Sequence, residues 1–378
     1  MGKRRIVSFL PAATEMVYAL GLGDQLVGVS HECDFPADAR TKPVVVRPSL
    51  PIETMSLSEI DVAVAERIGS GGSLYQVDEE LLCALKPDLI LTQNLCQVCA
   101  TSGNDLAAVL KLLDPTPEIL WMSPHSLEEI FENLRELGKA TEKSDAAETF
   151  IQDCRARLDA VAARTRAIAR RPRVFCMEWA DPVYCAGHWV GEMVEIAGGK
   201  DELARRGTDS VRIAWTDVLA WAPEVIIFSP CGFSLEKALE QVGYLESQAG
   251  WAELPAVLDQ RVFAVDANSY FARPGPRVVN GTELLAHLIH PQLFDWQGRP
   301  DAFQAIAASN GCVTKSAPGE ATGVRMKSCP ECGASFECCL GGCWCNDLPK
   351  LPRGSLPESD CLCRTCLTKA IEARAALR

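Results

Sequence analysis

The chain has 378 residues, a net charge of −13, 48% hydrophobic residues and 23% charged ones. That length suits two or three domains of ordinary globular composition. Acids and bases are interspersed, which argues against a body built for nucleic acid. No stretch approaches about 18 uncharged apolar residues, so no membrane insertion is expected.

Lys3, Arg4 and Arg5 precede a short apolar strand at 6–10. Pro11 and Glu15 cut the apolar run short, so no export signal is read and the expected compartment is the cytoplasm. There, closely spaced cysteines read as metal or redox sites rather than disulfides. Pro11 opens a helix carrying Met16, Val17, Ala19 and Leu20, and Gly21 and Gly23 stop it. A strand at 26–29 runs into His31, Glu32, Cys33, Asp34, Phe35 and Pro36. Strand and helix in alternation predict a parallel sheet.

One unit occurs twice. Residues 81–86 look helical, Pro87-Asp88 breaks the helix, and 89–91 is a strand. Residues 218–222, Pro223-Glu224 and 225–228 repeat that order. Two similar α/β lobes are the simplest explanation. Between them, 141–170 places Ala146, Ala147, Phe150, Ile151, Cys154, Leu158, Val161 and Ala162 at helical spacing, with no Gly or Pro before Pro172. About 28 helical residues would span roughly 42 Å, a rigid strut. After 293 the pattern weakens, and 302–308 reads as a last helical turn or two. The fold expected is α/β: two doubly wound parallel-sheet lobes, 1–140 and 172–308, joined by one long helix at 141–171. A linker at 309–327 leads to a cysteine-rich domain at 328–378.

Ligands of open parallel sheets bind beyond the carboxyl ends of the strands. The residues there are His31, Glu32, Cys33, Asp34 and Phe35; Gln93, Asn94, Cys96 and Cys99; Glu178, Trp179, Cys185, His188 and Trp189; Cys231; and Tyr270, Phe271 and Arg273. Aromatics and soft donors on facing lobes suit a flat metal chelate, or a metal or iron–sulfur centre. The competing reading is that the cysteines are small buried hydrophobes. The Gly69-Ser70-Gly71-Gly72 run lacks the lysine of a phosphate loop, and no G-x-S-x-G elbow occurs, so no catalytic residue is singled out. The acid pairs Glu79-Glu80 and Glu128-Glu129 read as solvated helix faces or as docking points for a basic partner.

Nine of the eighteen cysteines fall between 329 and 366. Cys329, Cys332, Cys338, Cys343, Cys345, Cys361, Cys363 and Cys366 would fill two tetrahedral all-thiolate zinc sites. An iron–sulfur or copper(I) cluster is the alternative. So small a segment needs metal or cross-links to fold.

The segments FLPAATEMVYALGLGDQLVGVSHECDFP, LKPDLILTQNL, EMVEIAGGKDEL, WAPEVIIFSPCGF and YFARPGPRVVNGTELLAHLIHP resemble the periplasmic-type binding proteins for vitamin B12 and iron–siderophore complexes, over about residues 5–292. The resemblance implies two lobes on one long helix and non-catalytic capture of cobalamin or a related metal chelate between them. It points to 31–35, Trp179, Trp189, Tyr270, Phe271 and Arg273 as contacts. The stretch from Val44 to Asp78 is longer than the matching region of the B12-binding member. The cysteines at 33, 96, 99, 185 and 231 depart from the family pattern. The tail resembles the bacterial cysteine-rich CWC domain through Cys343-Trp344-Cys345. The other functional expectations are a cytoplasmic metalloprotein or redox enzyme using the cleft cysteines, and a scaffold recruiting a protein partner through the tail.

Overall fold

The computed structural model describes residues 3–306 apart from 71, 94–109 and 111–112; in the tail it describes 324–329, 332, 335–339, 366 and 368–369. It divides into two compact units, Met1–Ala307 and Ala308–Arg378.

The first unit holds both lobes. In the N-terminal lobe, β1 (Ile6–Ser8), β2 (Leu26–Ser30), β3 (Val44–Pro48), β4 (Tyr75–Val77), β5 (Leu89–Thr92) and β6 (Glu118–Trp121) form one sheet in the order β4-β3-β2-β1-β5-β6. All neighbours are parallel except β4, which runs antiparallel along β3. The central strands are unbroken apolar runs because helices cover both faces: Ile6, Val7, Leu89, Ile90 and Leu91 are fully buried. In the C-terminal lobe, β7 (Val174–Ala180), β8 (Val183–Cys185), β11 (Val225–Phe228), β12 (Val262–Val265) and β13 (Phe303–Ala305) take the order β13-β12-β11-β7-β8. Its three inner strands are parallel and the two edges antiparallel. A short pair, β9 (Gly187–His188) and β10 (Arg205–Arg206), lies outside that sheet.

Helix α5 (Ser144–Thr165) joins the lobes. Its 22 residues give a length of about 33 Å, shorter than the expected strut. Glu142, left-handed at φ 57°, turns the chain just before it. At the other end Thr165 Oγ1 donates 2.9 Å to the Ile196 carbonyl. Ala147, Ile151, Cys154, Leu158 and Val161 form its buried stripe. That stripe packs against α4 (Leu127–Ala140) of the first lobe and α12 (Val278–Ile289) of the second. Arg157 clamps it to Glu283 of α12 with bonds of 2.9 and 2.6 Å.

Two stretches differ from expectation. Residues 303–305, read as helix, add antiparallel to β12, where Phe263 and Phe303 meet edge to face at 6.1 Å. Between β3 and β4 the chain builds a further helix, α2 (Leu57–Gly69), started by a Ser56–Glu59 capping box. Only Leu57 of that helix is fully buried, so its weak apolar stripe left little sequence signal.

Candidate functional site

The loops at the carboxyl ends of the two sheets meet. Asp34, after β2, accepts from Arg273 Nη1 at 2.5 Å, and the Glu32 carbonyl accepts from Arg273 Nη2 at 3.0 Å. Glu15, on α1 (Pro11–Ala19), is held by Arg277 through two bonds of 2.9 and 2.5 Å. The Arg277 guanidinium lies 4.3 Å from the centre of the Phe35 ring. Between the arginines, a Cβ on Gly275 would stand 3.3 Å from Ala12 Cα and 3.3 Å from Glu15 Oε2, so a side chain there would have to push the facing lobe back by a few tenths of an ångström.

Burial shifts these groups, and their partners oppose it. Burial raises the Glu15 pKa; Arg277, then Arg273, pull it back without cancelling the rise. Burial alone would lower the Arg273 pKa, but Asp34, with Glu15 and Glu32, more than compensates and the guanidinium is held charged.

Two further contacts join the lobes. Asp61 of α2 accepts from Tyr184 Oη at 3.2 Å and from Arg212 Nη2 at 2.5 Å. His125, after β6, faces His188 with ring centres 5.6 Å apart. His188 is left-handed at φ 51°, and its Nε2 lies 3.1 Å from Asp209 Oδ1. Burial lowers its pKa, Asp209 resists, and His125 adds to the lowering.

The C-terminal lobe adds an aromatic and polar surface at the ends of β7 and β11. Trp179 meets Phe233 edge to face at 5.4 Å. The Trp179 indole N–H and the Ser229 hydroxyl are buried without a partner, as is the Thr92 hydroxyl at the end of β5. Glu178 accepts 3.0 Å from the Gly187 N–H, and burial pushes its carboxyl up to about 6. Cys231 is exposed, its N–H donating to the Glu178 carbonyl at 3.2 Å.

The structure separates the residues read from sequence into two groups. Asp34, Phe35 and Arg273 come together across the cleft with the Glu32 backbone. His31 lies beside them on the β2 loop, its Nδ1 3.3 Å from the Val46 carbonyl. Trp179, Glu178, His188 and Cys231 stand on the opposite lobe. Others are spent on packing. Cys33 is 3% exposed, accepts from Thr14 Oγ1 at 3.1 Å, and burial pushes its thiol up to about 11. Cys185 is buried, and burial raises its pKa too. The buried Trp189 donates its indole N–H 2.9 Å to the Phe271 carbonyl. Phe271 and Tyr270 are core residues, Tyr270 set edge-on to Trp296 at 5.8 Å. Gln93 is buried at the end of β5. Asn94, Cys96 and Cys99 lie outside the described residues. Among the described residues of the lobes, no three His, Cys, Asp or Glu donors converge as a metal site would require.

Sequence reading missed Glu15, Arg277, Asp61, Tyr184, Arg212 and His125. Arg277 carried a signal, standing four positions after Arg273 in Arg-Pro-Gly-Pro-Arg. Asp61 carried none, because nothing local says that α2 reaches the other lobe.

A vitamin B12-binding protein of Vibrio cholerae is 28% identical over 282 residues, 74% of this chain and 86% of its own length. An uncharacterized ABC transporter substrate-binding lipoprotein of Bacillus subtilis is 25% identical over 297 residues, 77% of this chain and 81% of its own. Among solved structures, a periplasmic heme-binding protein of Pseudomonas aeruginosa superposes with a TM-score of 0.60 at 20% identity, covering 80% of this chain and 99% of its own. The periplasmic vitamin B12 binding protein of Vibrio cholerae does so at 0.55 and 24%, covering 76% and 97%. Both share the two-lobe fold described above. The model of the periplasmic binding protein family matches residues 6–269, which take in both sheets up to β12 and most of the facing loops, so this chain belongs to the periplasmic binding protein family.

Proposed function

We propose that the cleft binds a corrinoid such as cobalamin, without catalysing a reaction on it, in a reducing cytoplasmic setting. The observation that carries this reading is the state of the two cleft arginines. Arg273 and Arg277 are already engaged by Asp34 and Glu15. A chelate rimmed with carboxylates, such as heme, needs cations with no partner of their own. A corrin is rimmed with neutral amides and needs hydrogen-bonding groups and apolar surface instead. The unpartnered indole N–H of Trp179, the Ser229 hydroxyl and the exposed Phe35 ring are groups of that kind. The vitamin B12-binding relative supports the same choice. A reducing compartment fits Cys33, Cys154, Cys176, Cys185 and Cys231, five thiols outside any disulfide.

Thermal melts with cyanocobalamin, dicyanocobinamide and hemin test the reading. Saturation at about 100 times Kd adds about 2.7 kcal/mol of stability, so a corrinoid should raise Tm by several degrees and hemin should not. Trp179→Ala should abolish the shift. A hemin shift exceeding that of both corrinoids, or no corrinoid shift at all, overturns it. Cell fractionation, with the protein in the membrane-free soluble extract of spheroplasts, checks the compartment.

A further inference from the structure

The nine cysteines of the tail lie beyond the family match. We infer that Cys329, Cys332 and Cys366 hold a single zinc ion that joins the two ends of the cysteine run. This goes beyond the cleft reading and does not depend on it.

The strands β14 (Val324–Ser328) and β15 (Ser335–Cys339) pair antiparallel, from Val324 opposite Cys339 to Ser328 opposite Ser335. The loop between them reads Cys329-Pro-Glu-Cys332-Gly-Ala, so both thiols of the CxxC sit at the tip of one hairpin. Cys366 comes from the far end of the run, in a helical residue. Nevertheless the three Sγ atoms all lie within 4.8 Å of one another. A zinc ion with sulfurs at about 2.3 Å in a tetrahedron sets those sulfurs about 3.8 Å apart. The three thiols therefore already stand close to a coordination shell. Cys329 is 2% exposed while Cys332 is exposed, so the shell has one face toward the protein and one toward solvent.

The surroundings explain why an ion belongs there. An isolated two-stranded hairpin is marginal in water, and a unit this small lacks the core to hold it closed. One ion linking the hairpin tip to residue 366 closes a loop of more than thirty residues, which is how small domains compensate for a missing core. All-thiolate donors select a soft or borderline cation, and a redox-inert tetrahedral one suits a structural role. If 329, 332 and 366 share a site, consecutive cysteines are not simply paired off along the sequence. Cys338, Cys343, Cys345, Cys361 and Cys363 are then the sequence's donors for the fourth position and for any second ion.

Elemental analysis of the full-length protein, purified without chelators, tests this. Bound zinc is measured per chain for the wild type, Cys329→Ser, Cys332→Ser, Cys366→Ser, the double variant Cys329→Ser/Cys366→Ser, and Cys231→Ser as a control. Each single variant should lose one equivalent. The double variant should lose the same single equivalent, and Cys231→Ser none. In cobalt-substituted protein, the thiolate-to-metal absorption should weaken in all three single variants. Melting of the lobes should be unchanged throughout, which separates loss of metal from loss of fold. Wild-type zinc content in any of the three single variants overturns the inference. So does a double variant that loses two equivalents, or wild-type protein carrying iron with acid-labile sulfide in place of zinc.

Discussion

The two lobes share a joint and differ in the charge of the loops they build on it. In the first lobe α3 (Glu79–Leu85) ends at Lys86, left-handed at φ 46° and ψ 59°, followed by Pro87 and Asp88. In the second, α7 (Trp215–Trp221) ends at Ala222, at φ 47° and ψ 64°, followed by Pro223 and Glu224. The acid then does the same work in both. Asp88 N–H donates 3.0 Å to the Arg5 carbonyl while its carboxylate accepts 3.2 Å from the Arg5 N–H. Glu224 does likewise with Arg173, at 2.7 and 3.1 Å. Each joint fixes the start of the central strand pair, β1 with β5 and β7 with β11. Where they face each other the lobes diverge. The first supplies Glu15, Asp34 and Asp61; the second answers with Arg277, Arg273 and Arg212. A common frame thus places two sets of loops face to face, and opposite charge decides how they meet.

The strongest blow to that complementarity is Arg277→Ala. It leaves Glu15 buried without its bidentate partner, and breaking a buried pair from one side costs about 3–5 kcal/mol. Denaturant melts should show that loss at pH 7. It should shrink at acid pH, because burial already raises the Glu15 pKa and protonation removes the stranded charge. Glu15→Gln/Arg277→Gln should recover much of the loss. If the double variant is as unstable as Arg277→Ala, the charge pair is not what joins the lobes.

Glu178 gives a smaller effect and isolates an acid on the second lobe whose carboxylate accepts from the Gly187 N–H rather than from a cation. With its carboxyl pushed up to about 6, the folded chain holds a proton where the unfolded carboxyl, at the ordinary 4.5, has lost it. The stability this provides is fully present below about pH 4.5 and disappears as pH rises through about 6. Glu178→Gln should match the wild type near pH 4.5 and exceed it at pH 7.5 by at most about 2 kcal/mol. Parallel stability curves would show that Glu178 is better solvated than its position implies. A corrinoid covering the carboxylate should also bind more tightly at pH 5 than at pH 7.5 in the wild type but not in the variant.

Range along the chain separates the features legible in the sequence from those that were not. The inner strands β1, β2, β5 and β11, the repeated helix–Pro–acid unit and the buried stripe of α5 are local patterns, and hydrophobic period or a proline marks each of them. Asp34 and Arg273 could be placed at strand ends, but their ion pair spans 239 positions, and nothing local encodes it. Trp189, Tyr270 and Phe271 read as ligand contacts because aromatics suit both a cleft and a core. Only the indole bond from Trp189 to the Phe271 carbonyl and the burial of all three tell the two apart. Cys33 is the same case for thiols: adjacent in sequence to two cleft residues, its side chain nevertheless turns inward to Thr14.

The smallest effect tests the joint itself. Lys86 and Ala222 hold a backbone conformation that a side chain disfavours by roughly 1 kcal/mol, while glycine adopts it freely. Glycine's greater freedom in the unfolded chain cancels part of the gain. Lys86→Gly and Ala222→Gly should therefore each stabilise by about 0.5 kcal/mol, visible as a small rise in denaturant midpoint with no change in slope. If the joints are equivalent, the two increments should agree and should add in the double variant, because the sites lie in separate lobes with no shared partner. A gain at one site with a loss at the other would mean that the matching dihedral angles conceal different packing. The likeness would then stop at the backbone, and the lobes would differ in their frames as well as in the charges they present to the cleft.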